Sequence, residues 1–490
     1  MYLLTIEEAA AGLQAGDFSS VELTEACLTH IQKHDAKIHS FIRVEADIAL
    51  SQARESDARR AAGKSRGILD GIPYNLKDVY ATIGSLTTAA SHILEEWQAP
   101  YNATVYQKLC HAGAVLLGKT NTDEFTMGSS TESSYFGVTR NPWDTDRVPG
   151  GSSGGPAAAM AARFGLFAVG TDTGGSIRQP AAFCGVVGLR PTYGRVSRFG
   201  ELPMASSLDQ TGPITATARD AAIVLQVLAG HDPLDATSSP NPVPDYLSAT
   251  DQPLAGVKIG VAEEYFGEGI HAEVERTVRD AIAALAKEGA EIVPVSLPLI
   301  HYSLAAYYII VPAEVSSNMA RYDGIHYGYS VERTEPKKAE VLYDVYAKSR
   351  AEGLGAEVKR RVMLGTYELS SGYYEAYYAK AEKVRARVSG DFTHAFTQCD
   401  VLAAPVAPHT AFKIGEKIGD PLSMYKEDIL TVPVNIAGVP GISVPCGFVN
   451  DLPVGLQLIA DRFQEEKVLR VAAGYQRLTD YHCQLPSLIS

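Results

Sequence analysis

Apolar positions recur along this chain with two alternating periods. From Asn102 to Gly113 they fall at Val105, Tyr106, Leu109 and Cys110, the spacing of a helix with one buried face, and Gly113 is placed to end it. The run Ala114-Val-Leu-Leu117 that follows is short and uniformly apolar, which predicts a buried strand. The same succession returns later. Lys258-Ile-Gly-Val-Ala262 reads as strand, Val274, Val278, Ile282 and Leu285 trace a helix face, Gly289 stops it, and Glu291-Ile-Val-Pro-Val295 resumes as strand. Helix, glycine and strand in repeated order predict an α/β protein whose sheet is covered by helices on both faces.

Two stretches depart from this pattern. A Gly- and Ser-rich centre spans residues 128–200, yet it holds packed apolar material at 157–168 and 183–189 that a linker would lack. Gly and Ser clustered inside a core mark backbone that must approach a ligand closely. A Pro-rich stretch over 233–253, carrying Asp and Ser, predicts a surface excursion.

Composition narrows the classes. The 490 residues are 46% apolar and 20% charged, ordinary for a packed globular protein, and length alone allows two to four domains. A net charge of −14 repels phosphate backbones, so any RNA is expected to be held mostly by a partner. The six cysteines show no C-x-x-C spacing and read as buried thiols in a reducing compartment. His30 and His34 lie four apart, but Lys33, Asp35 and Lys37 around them suggest a solvated helix face, and no metal site is expected. No uncharged apolar run reaches the roughly 18 residues a membrane span needs. The longest candidate, 156–170, is broken by Arg163. The first residues, MYLLTIEEAAAGL, lack a basic segment and bring in Glu7 and Glu8 at once, so a cytoplasmic location is expected.

Two motif matches fail on physical grounds. Gly113-Ala-Val-Leu-Leu-Gly118-Lys119-Thr120 has the letters of a phosphate-binding loop, but Ala, Val, Leu and Leu belong inside a strand rather than in a flexible cradle. The polar residues 121–128 that follow are turn-like, not a helix start. Gly151-Ser-Ser153-Gly-Gly155 has the letters of a nucleophile elbow with Ser153 as nucleophile. That elbow must follow a strand, and Arg140–Pro149, with two prolines and two aspartates, is a poor one.

Three segments carry the candidate chemistry: Gly71-Ile-Pro-Tyr-Asn-Leu-Lys77-Asp78, Gly150-Gly-Ser152-Ser153-Gly-Gly155, and Gly170-Thr-Asp-Thr-Gly-Gly175-Ser176-Ile-Arg178-Gln-Pro180. Singly, each has a plainer reading as a strand end reaching solvent or as a loop. Together, with GGSSGG followed after an alanine-rich segment by GTDTGGSIRQPAAFCGVVGLRPT, they resemble the amidase signature family. The resemblance continues through 118–130, 206–213, 435–440 and 452–457, essentially the whole chain. It implies one domain over 1–490, with the signature core at 70–215 and a large mixed, twisted β-sheet sandwiched between helix layers. It implies Ser176 as nucleophile, Ser152 as a bridging serine in a cis peptide, and Lys77 as base. The N–H groups of Thr173, Gly174, Gly175 and Ser176 are implied as the oxyanion donors. The residue types suit the chemistry. A serine hydroxyl is weak until its proton is removed. Lysine can remove it only when neutral, and burial favours the neutral form.

Within that family, residues 190–200, 316–324, 360–365, 370–378 and 425–433 are similar to the A subunits of glutamyl-tRNA(Gln)/aspartyl-tRNA(Asn) amidotransferases. That similarity implies glutamine (or asparagine) as the amide, with Arg361 on its carboxylate, Arg360 a possible substitute, Asp428 on its ammonium, and Ser129 also at the substrate. It implies a heterotrimer with B and C subunits, tRNA held mainly by the B subunit, no cofactor on this chain, and ATP and Mg used by a partner. Two other readings stand beside it: a stand-alone amidase of broad carboxamide specificity, and a scaffold that keeps only the fold. Lys77, Ser152 and Ser176 argue against the scaffold. Tyr74 and Asn75 depart from the usual lysine motif. Pro156, after GGSSGG, fits a helix's first turn.

Overall fold

Eleven strands form one mixed sheet in the computed structural model, which describes residues 1–489. In chain order they are β1 (Phe41–Val44), β2 (Pro73–Lys77), β3 (Val115–Thr120), β4 (Phe167–Thr171), β5 (Val187–Arg190), β6 (Thr211–Thr215), β7 (Lys258–Ala262), β8 (Glu291–Val295), β9 (Val401–Pro405), β10 (Gly441–Val449) and β11 (Leu452–Ala460). Across the sheet they run β1-β3-β2-β4-β6-β5-β10-β11-β9-β7-β8. The middle, from β4 to β9, is antiparallel. Parallel pairs flank it, β2 with β3 and β4 on one side and β7 with β8 and β9 on the other.

Every residue of β2, β3, β4, β6, β9 and β11 is buried. Successive side chains point to opposite faces, so both faces are covered. The helices that cover them include Gly154–Ala161 against β2 and β4, Ala272–Lys287 against β9, β10 and β11, and Glu465–Leu478 against β10 and β11.

The helix expected over 102–113 forms at Thr104–His111, and Gly113 turns the chain with φ +81°. The strand expected at 114–117 continues as β3 to Thr120, because Gly118, Lys119 and Thr120 still pair with β2. Lys119 is buried and ion-paired to Asp78 at 3.1 Å, so the apparent phosphate loop is strand interior. Residues 258–295 form strand, helix and strand as expected, with β8 an edge strand where Pro294 costs no pairing on its open side.

Other expectations need correcting. His30 does not face solvent: Tyr2 stacks on its ring at 4.0 Å, and its Nε2 lies 3.0 Å from the carbonyl of Ala162 that follows helix Gly154–Ala161. Cys27, Cys184, Cys399 and Cys446 are buried, but Cys110 is half-buried and Cys483 exposed. Residues 121–128 are turn-like, as expected, and 121–127 are buried, with backbone and hydroxyl donors satisfying Asp123 and Glu124. The Pro-rich stretch does lie at the surface, tethered by the fully buried Tyr246.

Candidate active site

β2 lies third in the sheet between its parallel neighbours β3 and β4, and its last residue, Lys77, has no exposed surface. Its ammonium donates to Ser152 Oγ at 2.7 Å, Ser153 Oγ at 2.9 Å and Thr171 Oγ1 at 2.8 Å. All three are neutral hydroxyls. Burial therefore dominates and pushes Lys77 down to about 7, against the opposing pull of Asp123, Glu201, Asp172 and Asp209. The pull of Glu201 is itself weakened, since burial and the neighbouring Asp209 raise its carboxyl.

The glycines of the serine loop have steric reasons. Gly150 takes φ +83°, and the Gly151–Ser152 peptide is cis. A Cβ on Gly151 would lie 2.2 Å from Asp123 Oδ2. Gln179 clamps the loop, accepting the Gly151 N–H at 3.0 Å and donating to Ser129 O at 3.0 Å. No strand precedes Ser153, and a helix begins at Gly154 with Pro156 in its first turn, so the nucleophile-elbow geometry is absent here. Ser153 instead joins the Lys77 hydroxyl cluster.

The Ser176 loop is built around Asp172, which has no exposed surface. Its carboxylate accepts the N–H groups of Gly175 (2.9 Å) and Ile177 (3.2 Å), Arg178 Nε (3.0 Å) and Asn435 Nδ2 (2.8 Å), with Arg190 Nη1 at 3.5 Å. Although burial alone would raise it, Arg178 and Arg190 hold the carboxyl well below the usual range. The Gly175 N–H is committed to Asp172. The Thr173, Gly174 and Ser176 N–H groups find no acceptor among the described residues, which leaves three donors for an oxyanion. The Ser176 carbonyl accepts the Ser153 N–H at 3.0 Å, lacing the two loops together. The Ser176 hydroxyl makes no hydrogen bond among the described residues, so no Ser176–Ser152 bond closes the implied relay here.

The three implied substrate residues also gather. Ser129 Oγ lies 3.1 and 2.9 Å from the two Asp428 oxygens, and Tyr308 OH donates to Asp428 Oδ2 at 3.2 Å. Burial pushes Asp428 up to about 7 despite these donors and the nearby Arg361 charge. Arg361 sits on the inner face of helix Ala356–Glu368, its guanidinium 5.7 Å from the Tyr308 ring and 5.6 Å from the Tyr425 ring. Glu357 accepts its Nε at 2.8 Å, and its Nη1 has a weak sulfur contact with Met204 Sδ at 4.0 Å. Arg360, 42% exposed in its side chain, binds the other Glu357 oxygen at the rim. Arg361, not Arg360, therefore shares aromatic neighbours with Asp428. Ser129, Arg360, Arg361 and Tyr425 line a cavity of about 260 Å³.

Ser153, read from the sequence only as a failed nucleophile match, belongs to the lysine cluster, and Thr171, Asp172, Glu357, Tyr308 and Asn435 have no role assigned from the sequence. Asp172 and Arg178 carried a signal, an acid and a base six apart across the glycines. Tyr308 carried none, and Asn435 only its place in a resembling string, because both meet the site through the fold.

Among the described residues no group of His, Cys, Asp and Glu is arranged to hold a metal ion, and no helix is long and apolar enough to cross a membrane. A buried, depressed-pKa lysine among hydroxyls, beside free backbone donors, suits base-assisted attack of a serine on an acyl carbon.

Comparison with known proteins agrees with that chemistry. A model of the Amidase family matches residues 22–469. The A subunit of glutamyl-tRNA(Gln) amidotransferase from Chloroflexus aurantiacus is 53% identical over 489 residues, covering 100% of this chain and 99% of that protein. The crystal structure of the corresponding polypeptide from Thermotoga maritima, which bears the same name, superposes with a TM-score of 0.80 at 43% identity, covering 97% of this chain and 95% of that one. Peptide amidase from Stenotrophomonas maltophilia superposes with a TM-score of 0.83 at 32% identity, covering 99% of each chain. The chain belongs to the amidase family.

Proposed function

We propose that this chain is the glutaminase component of a tRNA-dependent amidotransferase, releasing ammonia from glutamine through an acyl-enzyme on Ser176. The observation that carries the reading is the placement of Asp428 and Arg361 around one pair of tyrosines. A zwitterionic amino acid needs one anion and one cation at its α-carbon, and a simple amide needs neither. The full-length identity to amidotransferase A subunits supports the same choice over a stand-alone amidase.

In this reading Ser176 Oγ attacks the side-chain amide carbon while its proton passes through Ser152 to neutral Lys77. The Thr173, Gly174 and Ser176 N–H groups hold the oxyanion. The proton returns to the departing nitrogen, which leaves as ammonia, and water then frees glutamate by the reverse route. Ammonia goes on to a carboxyl group on a misacylated tRNA. That carboxyl must first be activated by ATP and Mg, which we assign to a partner, as we assign tRNA binding to the B subunit of a cytoplasmic heterotrimer that also holds a C subunit.

The test is stepwise: glutamine hydrolysis by the isolated chain, then with its partner subunits, then with tRNA and ATP. The isolated chain should be a poor glutaminase, with ammonia transfer appearing only in the full mixture. Hydrolysis of glutamine and simple amides at the full rate by the chain alone would establish the stand-alone amidase instead.

A further inference from the structure

The turn 428–431 joins two parts of the site. At one end is the Asp428 carboxylate, beside Ser129 and Tyr308. At the other is Thr431, with no exposed surface. Its Oγ1 lies 2.6 Å from the carbonyl of Gly174 and 3.2 Å from the carbonyl of Asp428, so the hydroxyl favours Gly174. The Thr431 N–H bonds back to Asp428 O at 3.1 Å, which makes the turn one stiff unit.

The Gly174–Gly175 peptide is thereby held at both ends: its carbonyl by Thr431, its N–H by Asp172 Oδ1 at 2.9 Å. The unbonded N–H groups of Gly174 and Ser176 flank this peptide, so their directions depend on it. Packing here is close. A Cβ on Gly175, where φ is +135°, would lie 2.1 Å from Thr431 Oγ1. A second contact runs in parallel, since a Cβ on Gly174 would lie 2.5 Å from the Tyr307 hydroxyl, and Tyr307 adjoins Tyr308.

We infer that Thr431 is a positioning residue that transmits occupancy of the Asp428 end of the site to the oxyanion-binding backbone, so that a bound α-ammonium speeds acylation as well as strengthening binding. The inference rests on the reading of Asp428 as the ammonium partner. Oxyanion donors act only when aimed to within a few tenths of an ångström, and a four-residue turn has little slack in which to lose such a shift.

The test compares glutamine with glutaramate, which keeps the amide and the carboxylate but lacks the ammonium, in the assembled enzyme. Thr431→Val should lower kcat for glutamine by about tenfold or more, a fraction of what losing an oxyanion donor outright costs. Its KM should change little, and the kcat preference for glutamine over glutaramate should collapse. Thr431→Ser, which keeps the hydroxyl, should restore both. Thr431→Ala makes the same forecast if the valine variant does not fold. An unchanged glutamine preference in the hydroxyl-free variants overturns the proposal, as does a serine variant as slow as valine, which would mean packing alone. Equal wild-type KM values for the two amides would instead remove the ammonium role of Asp428 itself, and the coupling with it.

Discussion

Lys77 and Asp428 sit some way apart in the site, yet burial drives both to about 7 from opposite starting points. The signs agree. Lys77 must lose its proton to act as base, and Asp428 must lose its proton to hold an ammonium, so both competent forms grow as pH rises. Log kcat/KM for glutamine should therefore climb through pH 7 with a limiting slope near 2 on the acid side, while log kcat climbs with a slope near 1 from Lys77 alone. Asp428→Asn should raise KM and reduce the first slope to about 1. A pH-independent kcat between 6 and 8 would show that Lys77 is not the base. At the serines, Ser176→Ala should abolish ammonia release, and mass spectrometry should find the glutamyl adduct on Ser176. Ser153→Ala should slow the reaction without abolishing it, because Lys77 keeps Ser152 and Thr171 as partners.

The elements around Ser176 owe their arrangement to the Asp172 clamp. Asp172, Arg178 and Arg190 have no exposed surface, so Asp172→Ala would leave two cations buried without their counter-charge. Breaking such a group by removing one member costs about 3–5 kcal/mol, and the variant should show a correspondingly lower denaturant midpoint along with lost activity. This clamp also marks where sequence reading stopped. The three segments bearing Lys77, Ser152 and Ser176 were legible as contiguous strings, and β3 was legible because its apolar run has no other use. Asn435 and Gln457 lie in strings that carry the resemblance, but they reach Arg178 across more than 250 positions, and no local pattern announces that contact. His30 misled for the same reason: its neighbours in sequence are charged, while its neighbours in space are Tyr2, Phe164 and a helix-end carbonyl.

At the scale of the whole molecule, a net charge of −14 and an interior committed to one acyl-transfer site argue for divided labour. The isolated chain should not retain tRNA in a filter-binding assay at about 0.15 M salt, whereas the assembled complex should. Strong retention by the chain alone would place tRNA recognition here. The span of the sheet has a further outcome. Its middle joins strands from the two halves of the sequence: β5 pairs with the C-terminal β10. Ser176 leaves the ribosome long before Asn435 and Gln457 are translated, so the half-made polypeptide carries its proposed nucleophile without the groups that orient Arg178. A fragment ending near residue 430 should accordingly release no ammonia, and a nascent chain cannot drain the cell's free glutamine while it waits for its remaining residues.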